Sequence, residues 1–121
     1  LEGTVCDDMP KKRDVSPVTR MGQGPAITIM DRSVIVDKRL VRLLLQSADK
    51  LEIPHQFKQS VTGGTDAGAI HLAREGIPAA VVSVPSRYIH SPVCMLSLSD
   101  FEHTVTLMTE ALHRLEGGLP E

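Results

Sequence analysis

The chain has 121 residues, 41% of them hydrophobic and only 2% aromatic, enough for about one modest domain whose core must be built from Leu, Val, Ile, Ala and Met. Lys and Arg total 13 against 15 for Asp and Glu, a net charge of −2, which speaks against a basic face for nucleic acid. No apolar run approaches the ~20 residues that span a bilayer, so no membrane partner is expected either.

Cys6 and Cys94 are isolated thiols without CxxC spacing, the usage of reduced cysteines in a cytoplasmic protein. The chain starts on Leu1-Glu2-Gly3-Thr4-Val5, without an initiator Met and already strand-like, which reads as a fragment that has lost upstream sequence.

Leu1 to Cys6 predicts a first strand, ended by Asp7-Asp8-Met9-Pro10. Pro10 to Gly24 is polar and punctuated by Pro17, Gly22 and Gly24. It reads as a surface excursion in which Lys11 to Arg13 form a solvated loop flanked by acids. Pro25 to Met30 predicts a second strand. Leu40, Val41, Leu44, Leu45, Ala48 and Leu51 then recur at helical steps, with Asp37 placed to cap the helix. Glu52-Ile53-Pro54 ends it, and His55 to Val61 alternates weakly as a strand, with His55 a surface histidine.

Thr62 to Leu72 passes from a glycine-rich turn into a short helix capped by Thr65 or Asp66. The turn matches neither the Walker nor the dinucleotide pattern. It reads either as a tight strand-to-helix connection or as a backbone nest that meets a ligand. Ala79 to Val84 is a β-branched run expected to be a buried strand stopped by Pro85, which puts His90 just past a strand end. The last helix is expected from Ser99 or Asp100 to Leu115. Its apolar stripe is Phe101, Val105, Met108, Leu112 and Leu115, with His103 and His113 solvated, and Leu119 to Glu121 forms a tail. The order strand, strand, helix, strand, helix, strand, helix implies an α/β fold, a layered sheet at least partly parallel and covered by helices.

Two kinds of chemistry can be tested against these residues. Glu2 on the first strand and His90 after the last form a carboxylate and imidazole pair suited to zinc, cobalt or manganese. Two ligands are not a site, and Asp7, Asp8 and Asp66 are the nearest further candidates. Taken alone, His90 is a loop histidine of the kind most often solvated. Nucleophilic catalysis finds no support: no GxSxG occurs, and Cys94 has no recognisable partner arrangement.

A resemblance carries the reading further. The run GGTDAGAIH from Gly63 to His71, then Gly76-Ile77-Pro78 and Arg87-Tyr88-Ile89-His90-Ser91-Pro92, strongly resembles the di-metal aminopeptidases that include glutamyl, deblocking and tetrahedral aminopeptidases. Some members carry the names endoglucanase or cellulase M. Leu1-Glu2-Gly3-Thr4, Asp8-Met9-Pro10, the MGQGPAI run from Met21 to Ile27 and the closing helix extend the match over nearly the whole chain.

The resemblance implies that His90 binds one of two divalent ions, zinc or cobalt, and that Glu2 binds the other; many members have the shorter aspartate at that place. It implies that Gly64, Thr65, Asp66, Arg87 and Tyr88 line the substrate side. It further implies that residues 1–121 are the C-terminal portion of a metallo-aminopeptidase catalytic domain. The remaining ligands, the general-base glutamate and an inserted β-domain used in assembly would then lie upstream. The activity implied is release of N-terminal residues from peptides by a homo-oligomer, with this chain alone inactive and binding metal weakly. The rivals are an endoglucanase-type glycoside hydrolase, which needs two carboxylates in an aromatic-rich cleft, and a non-catalytic binding or assembly subunit.

Overall fold

The computed structural model describes residues 1–10 and 17–119. In chain order its elements are β1 (Glu2–Val5), β2 (Ala26–Thr28), α1 (Lys38–Lys50), β3 (Gln56–Phe57), α2 (Ala67–Ile70), β4 (Val81–Arg87), β5 (Met95–Leu96) and α3 (Leu98–Leu115). The strands form one mixed sheet in the order β1-β4-β2-β3, with β5 paired to β4 off this path. β1 runs parallel to β4 and β2 parallel to β3, while β4 is antiparallel to both β2 and β5. The fold is therefore the α/β layered sheet expected, with parallel and antiparallel pairings combined. The expected solvated loop at Lys11 to Arg13, and the Pro120 and Glu121 part of the tail, lie outside the described residues.

β4 is buried along almost its whole length because both faces of the sheet are covered. Successive side chains alternate between the faces. Val82 turns to the cleft between α1 and α3, whereas Val81 and Ser83 turn to the face that carries α2 and the loops beside it. Ile27, Leu43, Leu44, Val81, Val82 and Leu107 lie at the centre of the apolar core.

Pro85 does not end the strand, contrary to expectation: β4 continues to Arg87. The Cys6 amide donates to the Ser86 carbonyl at 2.9 Å, so that carbonyl points at β1 and the nitrogen one residue earlier points away from it. On that opposite side β2 pairing reaches only Ser83 and β5 pairing begins at Ser86. Proline's missing donor falls in the gap between two partners, where no ladder bond is lost.

α1 begins as its sequence implies. The Asp37 carboxylate accepts the Arg39 amide at 2.8 Å, and Val41, Leu44 and Ala48 are buried, joined by Leu43 and Ser47. The excursion after Pro10 is less superficial than expected. Thr19 is 1% exposed, and its hydroxyl donates to the Val5 carbonyl at 2.7 Å.

α3 differs more. Its cap is Ser97, whose hydroxyl accepts the Asp100 amide at 3.3 Å, so the helix starts ahead of the expected Ser99 or Asp100. The buried face is Asp100, Thr104, Leu107 and Ala111, and the expected stripe members Phe101, Val105 and Leu112 are 46%, 45% and 60% exposed. Two small polar or acidic side chains can sit inside because each is satisfied. Asp100 accepts the amides of Gly22 at 2.7 Å and Gly24 at 2.9 Å, and the Thr104 hydroxyl donates to the Asp100 carbonyl at 2.6 Å. His103, expected to be solvated, is half-buried, with its Nδ1 out of contact with solvent. Among the described residues no helix is long and apolar enough to cross a membrane.

Candidate active site

Four loops and strand ends meet on the face of the sheet opposite α1 and α3. They enclose a concavity of about 190 Å3 lined by Glu2, Lys58, Gly64, Thr65, Ser83 and His90 among others. Glu2 and His90, 88 positions apart in the chain (90 − 2), are thus brought to one place. Parallel pairing sets Glu2 beside Ser83, and the concavity runs along β1 from there towards the turn that follows β4. Glu2 opens one strand, and the neighbouring strand delivers the Tyr88 to Ser91 turn past its far end.

That turn is conformationally constrained. Tyr88 and His90 both take left-handed φ values of 62°, which cost about 1–3 kcal/mol each for residues other than glycine. The Ser91 hydroxyl lies 2.6 Å from the carbonyls of both Tyr88 and Val93 and donates its single proton to one of them at a time. Arg87, at the root of the turn, donates from Nε to the Asp8 carboxylate at 2.8 Å, and the same carboxylate accepts the Met21 amide at 3.0 Å. The guanidinium beside it holds the Asp8 carboxyl well below the usual carboxylate range, against the opposing effect of burial. Asp8 is therefore engaged as a brace between the loop after β1 and the end of β4. Asp7 is engaged too, through the Val18 amide.

The opposite wall is the glycine-rich turn. Asp31, which is buried, organises it. One carboxylate oxygen accepts the Ser33 amide and hydroxyl, both at 2.7 Å, and the Val34 amide at 3.0 Å; the other accepts the Thr65 hydroxyl at 2.9 Å. Burial pushes the Asp31 pKa up, but the bonds from Ser33, Thr65 and Val34 outweigh it and the net shift is downward. Gly68 has to be glycine, because a Cβ there would lie 2.4 Å from that of Ser33. Its absence lets the turn close onto the Asp31 to Val34 loop. The Asp66 amide then donates to Glu2 Oε1 at 3.3 Å.

The donor set suits a divalent cation. Glu2 keeps its second carboxylate oxygen free of this amide, and His90, which is exposed, has no hydrogen-bond partner among the described residues. No group of three or more His, Cys, Asp or Glu side chains able to hold a metal ion occurs among the described residues, so Glu2 and His90 do not form a metal site by themselves. Of the other expected site residues, Gly64 and Thr65 line the same concavity, and Asp66 lines an adjoining one of about 170 Å3 that also borders Glu2. Tyr88 is exposed beside the turn, and Arg87 is tied to Asp8. Sequence reading missed Lys58, which lines the concavity, and the bracing roles of Asp8 and Asp31; each is an ordinary loop or strand-end residue whose neighbours are distant in the chain.

With this geometry in place, the comparisons with known proteins are specific. The family described as M42 glutamyl aminopeptidase matches residues 1–107. The TET aminopeptidase of the marine sediment archaeon Thaumarchaeota archaeon SCGC AB-539-E09 superimposes with a TM-score of 0.88 at 39% identity, over 94% of this chain and 32% of its own. The TET1 peptidase of Pyrococcus horikoshii, described as able to assemble into a tetrahedron or a large octahedral shell, gives 0.69 at 33% identity over 93% of this chain and 31% of its own. The lysyl aminopeptidase of Pyrococcus furiosus is 35% identical over 100 residues, 82% of this chain and 28% of that protein. The chain spans about a third or less of the curated relatives it matches.

Proposed function

Because the chain belongs to the M42 glutamyl aminopeptidase family, we propose that the protein carrying it is a metal-dependent aminopeptidase that releases N-terminal residues from peptides. The observation that carries this reading is the meeting of Glu2 and His90 in one concavity against the Gly63 to Asp66 turn. In the proposal Glu2 holds one and His90 the other of two divalent ions, zinc or cobalt. When bound, such ions polarise the peptide carbonyl and lower the pKa of water enough to make a nucleophile at neutral pH.

The chain's own residues would do the positioning. The Asp66 amide fixes the Glu2 carboxylate, and the Asp8 to Arg87 ion pair fixes the root of the turn that carries His90. Gly64, Thr65 and Asp66 would meet the substrate along one wall and Tyr88 at the rim, with Arg87 acting through the turn it braces. We place the general base and the other metal ligands in sequence beyond these 121 residues, which form the C-terminal portion of the catalytic domain in this proposal. The share of its relatives that the chain spans supports that division. A homo-oligomer and a cytoplasmic location belong to the same proposal.

A glycoside hydrolase is disfavoured on the chemistry of the concavity. Among the described residues its walls contain one carboxylate, Glu2, and no aromatic ring, whereas glycosidic cleavage uses a carboxylate pair.

The test is His90→Ala in the complete gene product. We expect loss of about one bound divalent ion per subunit, by elemental analysis, and a fall in kcat of at least about 100-fold. Full metal content with undiminished kcat would remove His90 from the metal site.

A further inference from the structure

The Glu2 carboxylate depends on one contact for its direction. Its flexible side chain is half-buried, and among the described residues the hydrogen bond it accepts is the one from the Asp66 amide at 3.3 Å. What holds that amide is the loop that carries Asp31. The glycine-rich turn is tied to this loop at both ends: the Arg32 amide donates to the Gly63 carbonyl at 2.9 Å, and Gly68 closes onto Ser33. Between those ends, Thr65 is next to Asp66. Its hydroxyl donates to the buried Asp31 carboxylate at 2.9 Å, whereas its amide and carbonyl lie 3.3 and 3.4 Å from the Ser33 hydroxyl. The other Asp31 oxygen is held by the Ser33 and Val34 donors, so the carboxylate cannot turn away from Thr65 without losing those bonds.

Resting on the two-ion reading above, we infer that Asp31, acting through the Thr65 hydroxyl, is a positioning residue for Glu2 and sets the affinity of the ion that Glu2 would hold. The path has three links. Asp31 fixes Thr65, Thr65 fixes the direction of the next amide, and that amide holds Glu2 Oε1 and leaves Oε2 for the cation. A carboxylate held in advance has less rotational freedom to lose when it binds a cation, so the ion is held more tightly. The path does not reach the second candidate ligand. His90 sits in a turn held by the Ser91 hydroxyl and rooted in the Arg87 to Asp8 ion pair. No hydrogen bond joins that turn to the Asp31 loop among the described residues. Breaking the Asp31 to Thr65 bond therefore weakens one ion and spares the other, whereas a merely structural role would weaken both.

The experiment titrates the metal-stripped complete gene product with cobalt(II) in a calorimeter, without substrate, so that contacts of Thr65 with a peptide do not enter. The wild type should take up two ions per subunit. Thr65→Val keeps the side-chain shape and removes the hydroxyl; it should weaken one binding step about tenfold or more and leave the other within about threefold. Thr65→Ser restores the donor and should return both steps to within about threefold of wild type. In a Glu2→Gln background, adding Thr65→Val should change the remaining binding by less than about threefold, because the ligand it positions is already lost. Equal weakening of both steps in Thr65→Val, by misfolding or otherwise, overturns the inference, as does no weakening of either. Thr65→Ser behaving like Thr65→Val overturns it too, as does a full further loss in the Glu2→Gln background. A wild type that binds fewer than two ions overturns the two-ion reading itself, and this inference with it.

Discussion

Asp100 shows how a single side chain can reverse the orientation that periodicity assigns to a helix. It is 1% exposed and accepts two backbone amides, those of Gly22 and Gly24, from a loop 76 or more positions away. Gly24 in that loop packs directly against Pro54: a Cβ there would lie 1.7 Å from the Pro54 carbonyl oxygen, and its φ is 77°. Asp100→Ala leaves both amides without an acceptor, and we expect a loss of about 2–3 kcal/mol, read as a lower thermal midpoint of the complete protein. Asp100→Asn, which retains one carbonyl acceptor, should lose less; equal melting of wild type and Asp100→Ala would show that the loop does not depend on this anchor. The residues that hold the candidate site, Asp8 and Asp31, belong to the same class. Their partners Arg87 and Thr65 lie 79 and 34 positions on, so no local pattern reveals them.

At the scale of elements, α1 was legible because each of its signals is local: an Asp one residue before the first turn, an apolar stripe, and Pro54 beyond its end. Its cap yields a pH prediction. The Arg39 guanidinium and amide lower the Asp37 pKa to about 2 from an ordinary 3.8, outweighing burial. A carboxylate whose folded pKa is depressed contributes stability that is complete above about pH 4 and is lost as pH falls towards 2. Asp37→Asn retains the capping geometry and should flatten that part of the stability curve, whereas Asp37→Ala should cost about 1 kcal/mol at neutral pH. An acid limb between pH 4 and 2 that is the same in wild type and Asp37→Asn would refute the assignment.

α3 was legible in existence but not in rotation. Hydrophobic spacing selected Phe101, Val105 and Leu112, while the sheet and the Gly22 to Gly24 loop selected the smaller Asp100, Thr104 and Ala111 together with Leu107. Side-chain size allowed the close approach, and the polar members are compatible with burial because their hydrogen bonds are made.

At the scale of the whole molecule, the two candidate ligands lie far apart in the chain and border one concavity because β1 and β4 are neighbours in the sheet. With two ligands and no nearby third among the described residues, our proposal is that the 121-residue chain by itself binds metal weakly and is inactive. Calorimetric titration with zinc or cobalt should show far weaker binding to the isolated chain than to the complete protein. Hydrolysis of aminoacyl nitroanilides by the isolated chain at the complete enzyme's rate would contradict the division proposed.

What the sequence alone determined is whatever depends on neighbours along the chain: the helix signals of α1, the β-branched run of β4, the glycine turn, and a motif set that identified the family and singled out Glu2 and His90. The tertiary structure decided the rest. It set the mixed strand order, carried β4 through Pro85, turned α3 onto its smaller face and tied Arg87 to Asp8. It also put Lys58 into the concavity of Glu2 and His90. The division has one physical cause: capping, periodicity and turn chemistry act over a few residues, whereas strand pairing, burial and the pairing of charges depend on which distant segments the sheet brings together.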